Sequence, residues 1–251
     1  MREVESPSEL TELMSADRET HLYGLADLEE PFWSNSKWYR EGPAIVGLVS
    51  TGGTWSTGYA MSRLAPEETL ALLADIQESM PAGTWITGPT GMFRAITRVR
   101  RVRDIGPHWR MTLENLVDVD GASAAVSLGP DDLEAVADLH GSDVGSAFFL
   151  PEMLELNPYV GIWEEGRLVA SAGTHVVSRT HGVAAIGALI TRPSHRGRGL
   201  AARALSALCS RLVGDFGTIG LNVETGNTAA LRLYNRLGFR RVFQYEEIEV
   251  L

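Results

Sequence analysis

A basic, glycine-rich turn joins an apolar run to a helical pattern near the end of this chain. The apolar run covers residues 183–190, the turn covers residues 196–201, and the helical pattern ends near Leu212. A turn of this kind presents backbone N–H groups at the positive end of a helix dipole, which favours anions. Because glycine lacks a Cβ, Gly197 and Gly199 allow the main chain to approach a phosphate closely. The pattern therefore predicts a site for a phosphate-bearing ligand.

Three interpretations of this turn differ in what it binds. Residues 197–202 fit the dinucleotide fingerprint G-x-G-x-x-G/A, but there the first glycine follows the strand almost directly, whereas residues 192–196 intervene here. Residues 196–201 also fit the pattern R/Q-x-x-G-x-G/A, which resembles the pyrophosphate loop of the GNAT superfamily of N-acyltransferases. That family binds acetyl-coenzyme A. The third interpretation is a solvated basic turn without a ligand.

A second block, N-x-x-A-x-x-x-Y-x-x-x-G-F, begins at Asn227 and favours the GNAT interpretation. Asn227 is a suitable helix N-cap and Gly238 a suitable C′ residue, so a helix is predicted between them. Tyr234 lies about two turns after Asn227 and shares its face. The block resembles the second GNAT signature, and the two signatures follow in the family's order. The alternative for Tyr234 is a half-buried packing residue of an amphipathic helix.

The resemblance implies an α/β (α+β) mixed sheet of the GNAT acyltransferase fold, built as a tandem of a degenerate and a complete half. We divide the chain into a degenerate GNAT-like N-terminal domain, residues 1–119, and a catalytic N-acetyltransferase domain, residues 120–251. The pattern R-x-x-G-x-A does not occur in residues 1–119. The N-terminal half, with its aromatic residues near 32–39, resembles bacterial two-half GNAT proteins. Its basic run, residues 94–103, reads as a strand with one solvated face.

Local patterns predict further elements of both halves. Residues 66–80 have the period of an amphipathic helix, and Thr51-Gly52-Gly53 predicts a hairpin loop. Residues 159–164 and 167–177 predict a hairpin that turns at Glu165-Gly166. Gly187 stands inside a strand pattern and therefore fits a bulge or a close backbone approach.

The resemblance also implies roles for individual residues. Leu189 begins a strand segment that pairs with the pantetheine arm, and its N–H serves the developing oxyanion. Tyr234 acts as general acid at the leaving sulfur. The residues implied to hold acetyl-CoA are Leu189, Ile190, Thr191, Arg196, Gly197, Arg198, Gly199, Leu200, Ala201, Ala202, Asn227 and Tyr234. Arginines near the turn are expected to reverse the local field of an acidic protein: Arg192, Arg196, Arg198 and Arg203.

The general base is left open by the sequence. The strand of residues 183–190 has no acidic residue, and Asn222 stands where many family members have a base. Glu224 and His175 are the nearest substitutes, although each is equally a solvated or structural residue, and a water relay is also possible. This departure argues against a ribosomal-protein N-terminal acetyltransferase.

The expected activity is acetyl transfer from acetyl-CoA to an amine of a small molecule or amino acid, by direct attack in a ternary complex. Apolar residues of the catalytic half are expected to line the acceptor side: Phe148, Phe149 and Met153. Two alternatives remain: a non-catalytic acetyl-CoA-binding sensor, and a glycine-type N-acyltransferase that uses longer acyl-CoA. The first is favoured by the missing base, and the second by the resemblance of the N-terminal half.

Composition limits the partners. The net charge of −10 speaks against nucleic acid, which prefers a basic face. No apolar run reaches the length of a membrane span, and the acidic N-terminus is unlike a secretory signal. Cys209 is the only cysteine and is expected in the core, and the six histidines show no metal-ligand spacing. We therefore expect a cytoplasmic monomer or homodimer without a metal. The scarcity of lysine and abundance of alanine and glycine suggest a GC-rich, bacterial genome.

Overall fold

The computed structural model describes residues 1–50, 56–97, 99–142 and 149–251. The helices are α1 (Ser8–Ser15), α2 (Arg18–Asp27), α3 (Pro66–Ile76), α4 (Met92–Ile96), α5 (Leu133–Gly141), α6 (Met153–Leu156), α7 (Leu200–Leu212) and α8 (Thr228–Arg236). The strands are β1 (Arg2–Glu3), β2 (Ser36–Glu41), β3 (Ala44–Ser50), β4 (Ser56–Tyr59), β5 (Thr84–Gly88), β6 (Val102–Leu113), β7 (Val126–Leu128), β8 (Tyr159–Glu164), β9 (Arg167–Ser178), β10 (Val183–Thr191), β11 (Thr218–Glu224) and β12 (Phe239–Val250).

The chain divides into two compact units. The N-terminal unit consists of Met1–Arg110, Val223–Asn227 and Arg241–Leu251, and the C-terminal unit of Met111–Asn222 and Thr228–Arg240. Each unit therefore includes short segments from elsewhere in the chain. The linear division into residues 1–119 and 120–251 stays a prediction.

The N-terminal unit contains a mixed sheet in the order β1-β2-β3-β4-β5-β12. Strands β4 and β5 are parallel, and α3 makes the crossover between them. Helix α3 begins at Pro66, whose missing N–H costs nothing at a first helical position. Its apolar face, including Leu72 and Leu73, packs into a core with Ile86 and Ile248. The periodicity of residues 66–80 thus predicted this helix correctly.

The basic run of residues 94–103 was the least accurate prediction. Residues 92–96 form helix α4, and β6 begins only at Val102. Met92 and Ile96, four residues apart, are both fully buried, so the local period is that of a helix rather than of a strand. The predicted turn at Thr51-Gly52-Gly53 lies outside the described residues.

The C-terminal unit contains a sheet in the order β11-β10-β9-β8-β7. Strands β8, β9 and β10 are antiparallel neighbours, whereas β10 and β11 are parallel and are linked by α7. The hairpin between β8 and β9 turns at Glu165 and Gly166, both with positive φ, as the sequence predicted. Helix α7 buries Leu205, Leu208 and Cys209. Burial raises the pKa of the Cys209 thiol to about 12, consistent with the expected core role.

Candidate functional site

The strand pair β9–β10 carries two irregularities in its register. Thr174 pairs with Ile186 and Val176 with Ala185, so His175 is an extra residue on β9. Closer to the end of β10, Gly187 pairs with Gly173 and Ile190 with Ser171, so Ala188 and Leu189 together face Ala172. Ala188 has a φ of 47°, in the left-handed region. A bulge of this kind bends a strand and redirects its backbone groups.

The ring of His175 lies against Gly187. A Cβ on Gly187 would lie 2.1 Å from His175 Nε2, so only glycine fits beneath the ring. The expectation of a close backbone approach at Gly187 is therefore confirmed. The backbone carbonyl of His175 accepts a hydrogen bond from Asn157 Nδ2 at 3.2 Å. The structure thus brings one of the two candidate bases to the bulged part of β10.

The parallel pairing of β10 with β11 covers only the first part of β10. It runs from Val183↔Thr218 to Ile186↔Leu221, while β10 continues to Thr191. The segment Leu189, Ile190 and Thr191, predicted to pair with pantetheine, lies past the last of these pairs. Within the described parts of the chain, the buried Oγ1 of Thr191 has no hydrogen-bond partner. Because no described residue of β11 is paired with this segment, its backbone groups on that side can pair with an extended ligand.

The glycine turn leads from β10 into α7. After a 3-10 turn at Pro193–His195, Gly197 and Gly199 adopt φ of 78° and 77°. Apart from their chain neighbours, no described residue has an atom within 4 Å of where their Cβ atoms would stand. The first intrahelical bond runs from Arg203 N–H to Gly199 O. The N–H groups of Leu200, Ala201 and Ala202 precede it, at the positive end of the dipole. Open space beside left-handed glycines and a helix N-terminus fits a phosphate group.

The arginines around the turn have different partners. Arg192 is 5% exposed, and its Nη2 donates to Asp138 Oδ2 at 2.7 Å and to the Leu168 carbonyl at 3.1 Å. The hydrogen bond from Arg192 lowers the pKa of the Asp138 carboxyl. Asp138 also pairs with Arg167 at 3.3 Å, so one carboxylate faces two guanidinium groups. The expected contribution of Arg192 to a positive field at the turn therefore stays a prediction. Arg196 is exposed, and its Nε donates to the Thr191 carbonyl at 3.3 Å.

Arg198 and Arg203 are also engaged. Arg198 Nη1 and Nη2 donate to the two carboxylate oxygens of Glu164, each at 2.8 Å. Arg203 lies beside Gly121, where an added Cβ would stand 3.1 Å from Nε. Sequence reasoning missed Glu164, since nothing local marks a contact across 34 residues.

The turn after β11 holds Glu224 and Asn227. Both are exposed, and the Asn227 N–H donates to the Glu224 carbonyl at 3.0 Å. Thr225 N–H donates to the Pro107 carbonyl at 3.0 Å, which fixes the turn within the N-terminal unit. The exposed carboxylate of Glu224 fits a solvated group as well as a base.

Helix α8 carries Tyr234, which is 9% exposed. Its ring makes an edge contact with Phe239, with centroids 5.9 Å apart. Gly238 ends the helix with a φ of 94°, and a Cβ there would stand 1.7 Å from the Asn115 carbonyl oxygen. The predicted C′ glycine is therefore confirmed. The role of Tyr234 as an acid stays a prediction.

Two of the three predicted acceptor-side residues pack around Tyr159. Phe149 makes an edge contact with Tyr159 at a centroid distance of 6.2 Å, and the Tyr159 hydroxyl donates to Met153 Sδ at 3.6 Å. Phe149 also stacks on His140 at 4.8 Å. Phe149 and Met153 are partly buried against the core cluster that contains Ala188 and Ile190. They thus contribute to packing whether or not they meet an acceptor. Phe148 lies outside the described residues.

Within the described residues, no group of three or more His, Cys, Asp or Glu side chains is placed to hold a metal ion. No helix in the described ranges is long and apolar enough to cross a membrane.

Comparison with known proteins finds a family match over part of this chain. Residues 135–239 match the model of the acetyltransferase (GNAT) family. These residues, fewer than half of the chain, are similar to that family, and the likeness to solved GNAT structures shows the mixed α/β GNAT fold.

Individual relatives cover different shares of the chain. N-alpha-acetyltransferase RimI of Mycobacterium tuberculosis is 40% identical over 90 residues, which are 34% of this chain and 54% of that protein. This chain thus spans about half the length of that relative. The X-ray structure of a Drosophila protein has a TM-score of 0.71 at 15% identity and covers 100% of this chain and 98% of its own. A tandem GNAT protein from the clavulanic acid biosynthesis pathway has a TM-score of 0.55 at 13% identity, covering 98% and 94%.

Proposed function

We propose that this protein is an acetyl-CoA-dependent N-acetyltransferase that acetylates an amine of a small molecule or amino acid. The observation that carries the proposal is the bulge at Ala188 and Leu189, followed along the chain by the left-handed glycine turn that opens α7. The bulge frees strand backbone for an amide-containing arm, and the turn presents N–H groups to phosphates. Both requirements belong to one ligand, a coenzyme A thioester.

The residues of the C-terminal unit fit this cosubstrate by their chemistry. Leu189, Ile190 and Thr191 would pair with the pantetheine amides, and residues 196–202 would hold the pyrophosphate. For Asn227, which belongs to the N-terminal unit, contact with the pantetheine or a nearby backbone group is implied only by the family resemblance. The buried Thr191 Oγ1, which lacks a hydrogen-bond partner in the described ranges, supports a polar ligand along this segment.

Direct attack in a ternary complex requires a base for the amine, stabilisation of the developing oxyanion and an acid for the leaving sulfur. The amine nitrogen forms a bond to the acetyl carbonyl carbon, the C–S bond breaks, and one proton moves overall from nitrogen to sulfur. The Leu189 N–H would stabilise the negative charge that develops on the carbonyl oxygen. Tyr234 would donate a proton to the departing sulfur.

His175 is the better supported candidate for the base. Its ring lies on Gly187, next to the bulge, whereas Glu224 is an exposed residue at the end of β11. A base must reach the proton it abstracts, so its position near the reacting carbonyl matters more than its type. A water between the amine and His175 would serve the same purpose.

The acceptor is open to two classes of amine. RimI is named an N-alpha-acetyltransferase, which supports an α-amino group as acceptor. Asn222, at a position where many family members have a base, was the argument against a ribosomal protein substrate. An acceptor panel therefore needs free amino acids, other small amines and peptides with a free N-terminus.

We further propose that the N-terminal unit is a degenerate GNAT half without a second cosubstrate site. The repeated arrangement of an antiparallel strand pair, a helical crossover and a parallel strand supports this, as does the full-length likeness to a tandem GNAT protein. The proposal places the division near residues 119–120 and predicts a cytoplasmic bacterial protein, monomeric or dimeric.

Two measurements test the function. Titration calorimetry should show one acetyl-CoA bound per chain, and mass spectrometry of an amine panel incubated with labelled acetyl-CoA should show a labelled product. Binding of acetyl-CoA without any labelled product would favour a non-catalytic sensor. The absence of an acidic residue from β10 supports that alternative, because it leaves this strand without a carboxylate base. A chain-length series of acyl-CoA thioesters would reveal a preference for longer acyl groups.

A further inference from the structure

The carboxylate of Glu164 is held by the turn that is proposed to bind phosphate. Glu164 is the last residue of β8, at the start of the hairpin to β9. Its two oxygens accept hydrogen bonds from Arg198 Nη1 and Nη2, each at 2.8 Å, in a bidentate arrangement. His195 Nε2 lies 3.7 Å from the same carboxylate. Arg198 in the turn and His195 just before it are thus both directed at the Glu164 carboxylate.

A guanidinium group binds carboxylate and phosphate through the same parallel N–H pair. Arg198 is 52% exposed and Glu164 is 30% exposed, so neither is fixed by burial and the pair can open towards solvent. Exposed ion pairs are weak, typically equivalent to about 1.5- to 5-fold in an equilibrium constant. A polyanionic ligand can therefore displace Glu164 from Arg198 at small cost.

We infer that Glu164 is an affinity-setting residue that competes with a phosphate group of coenzyme A for Arg198. The inference rests on the proposed function, because it assumes that the turn binds coenzyme A. While Glu164 holds Arg198, its negative charge also opposes an incoming phosphate. The carboxylate therefore weakens binding of the cosubstrate and of the free coenzyme A product.

A double-mutant cycle with coenzyme A as the ligand tests this competition. Glu164→Gln keeps the size of the side chain and removes its charge, so the dissociation constant for coenzyme A should fall by about 1.5- to 5-fold. Arg198→Gln should raise the dissociation constant. In the Arg198→Gln background, Glu164→Gln should have at most a small residual effect, because the contested partner is gone.

The neighbouring residue Glu165 offers a matched control. It is exposed at the tip of the same hairpin, and Glu165→Gln changes the net charge by the same amount. Its effect on the dissociation constant should be smaller than that of Glu164→Gln. Thermal melting should show all four variants folded, since every substituted side chain is at least partly exposed.

The outcomes separate this inference from the proposed function. Unchanged or weaker coenzyme A binding by Glu164→Gln would overturn the competition. The competition would also be overturned if Glu165→Gln raised the affinity for coenzyme A as much as Glu164→Gln does. The same holds if Glu164→Gln kept its full effect on affinity in the Arg198→Gln background. If the wild-type chain binds no coenzyme A, the proposed function fails and the inference fails with it. Binding with the expected ranking of variants supports both.

Discussion

The two units contain the same strand–helix–strand arrangement, but its connection differs between them. In the N-terminal unit, β4 leads into α3 through Ala65, and the first turn of the helix carries Pro66, Glu67 and Glu68. In the C-terminal unit, β10 leads into α7 through two left-handed glycines, and the first turn has no acidic residue. Proline removes an N–H donor, and carboxylates occupy the positive end of the dipole. Only the second connection suits a phosphate.

The strand pairing differs in the same way. Strands β3 and β4 pair without a change of register, and β4 pairs with β5 along its whole length, from Ser56↔Thr84 to Tyr59↔Thr87. Strand β10 is bulged against β9 and pairs with β11 only up to Ile186. A regular sheet uses its backbone groups internally, whereas an interrupted one leaves some for a ligand. One arrangement thus serves packing in one unit and a candidate site in the other.

Loss of the Tyr234 hydroxyl should have the largest effect on the activity assigned to the C-terminal unit. Tyr234→Phe should lower kcat by about 10²- to 10⁴-fold, because general acid catalysis is typically worth that much. The dissociation constant for acetyl-CoA should change little. Steady-state kinetics and calorimetry measure the two quantities. Tyr39→Phe in the N-terminal unit is the control, and a wild-type kcat in Tyr234→Phe would make Tyr234 a packing residue.

A charge at the glycine turn should test the phosphate site directly. Gly199→Asp should weaken acetyl-CoA binding by at least about tenfold, because a carboxylate would enter the positive end of the α7 dipole. Gly83→Asp is the matched control, since Gly83 has a φ of 84° and equally open surroundings in the N-terminal unit. Both substitutions strain the backbone alike. Equal affinities of the two variants would contradict the placement of the phosphate site.

Buried ionisable groups of the N-terminal unit should give it a pH dependence of its own. Burial raises the pKa of the Asp27 carboxyl to about 7, above the ordinary value of 3.8. The folded state therefore keeps a proton that the unfolded state releases above about pH 4, and stability falls as the pH rises from about 4 to 7. Asp27→Asn should stabilise the protein at pH 8 by about 1–2 kcal/mol, since Asp27 keeps partial contact with water.

The contribution of Asp27 to the pH dependence of stability is measured as a difference between the unfolding free energies of two variants. Burial lowers the pKa of His21 to about 4, so His21 favours folding increasingly as the pH rises through the same range. Subtracting the unfolding free energies of wild type and Asp27→Asn at each pH removes the His21 contribution. Asp75→Asn, at an exposed position near the end of α3, is the control. A difference that does not grow between pH 4 and pH 7 would be inconsistent with a raised Asp27 pKa.

Raising the salt concentration should have the smallest effect, a severalfold loss of affinity for acetyl-CoA. The net charge of the chain is −10, and Arg192 is buried in an ion pair with Asp138, whereas Arg196 and Arg198 are exposed at the turn. Acetyl-CoA affinity should still fall between about 10 mM and 150 mM salt, because exposed charge pairs are screened. Acetyl-pantetheine, which lacks phosphate, should show no such dependence. A salt-independent affinity for acetyl-CoA would contradict an electrostatic phosphate site.

Much of the C-terminal unit was predictable because its signals are local. The hairpin at Glu165-Gly166, the glycine turn, and helix α8 between Asn227 and Gly238 depend on residues within a few positions of one another. The α4 segment was mispredicted because five residues give too short a pattern to separate a helix from a strand. No local signal marked the pairing of Glu164 with Arg198 or of Asp138 with Arg192.

The sequence by itself determined the elements, their order in the C-terminal unit and the chemical class of the turn, because glycines, caps and apolar periodicity act over a few residues. Tertiary structure decided which charges are free and which backbone groups are exposed. His175 meets Gly187 only through the register of β9 and β10, and Arg192 reaches Asp138 across 54 positions of the sequence. Such contacts join residues that are distant in the chain, and they arise when the sheet forms.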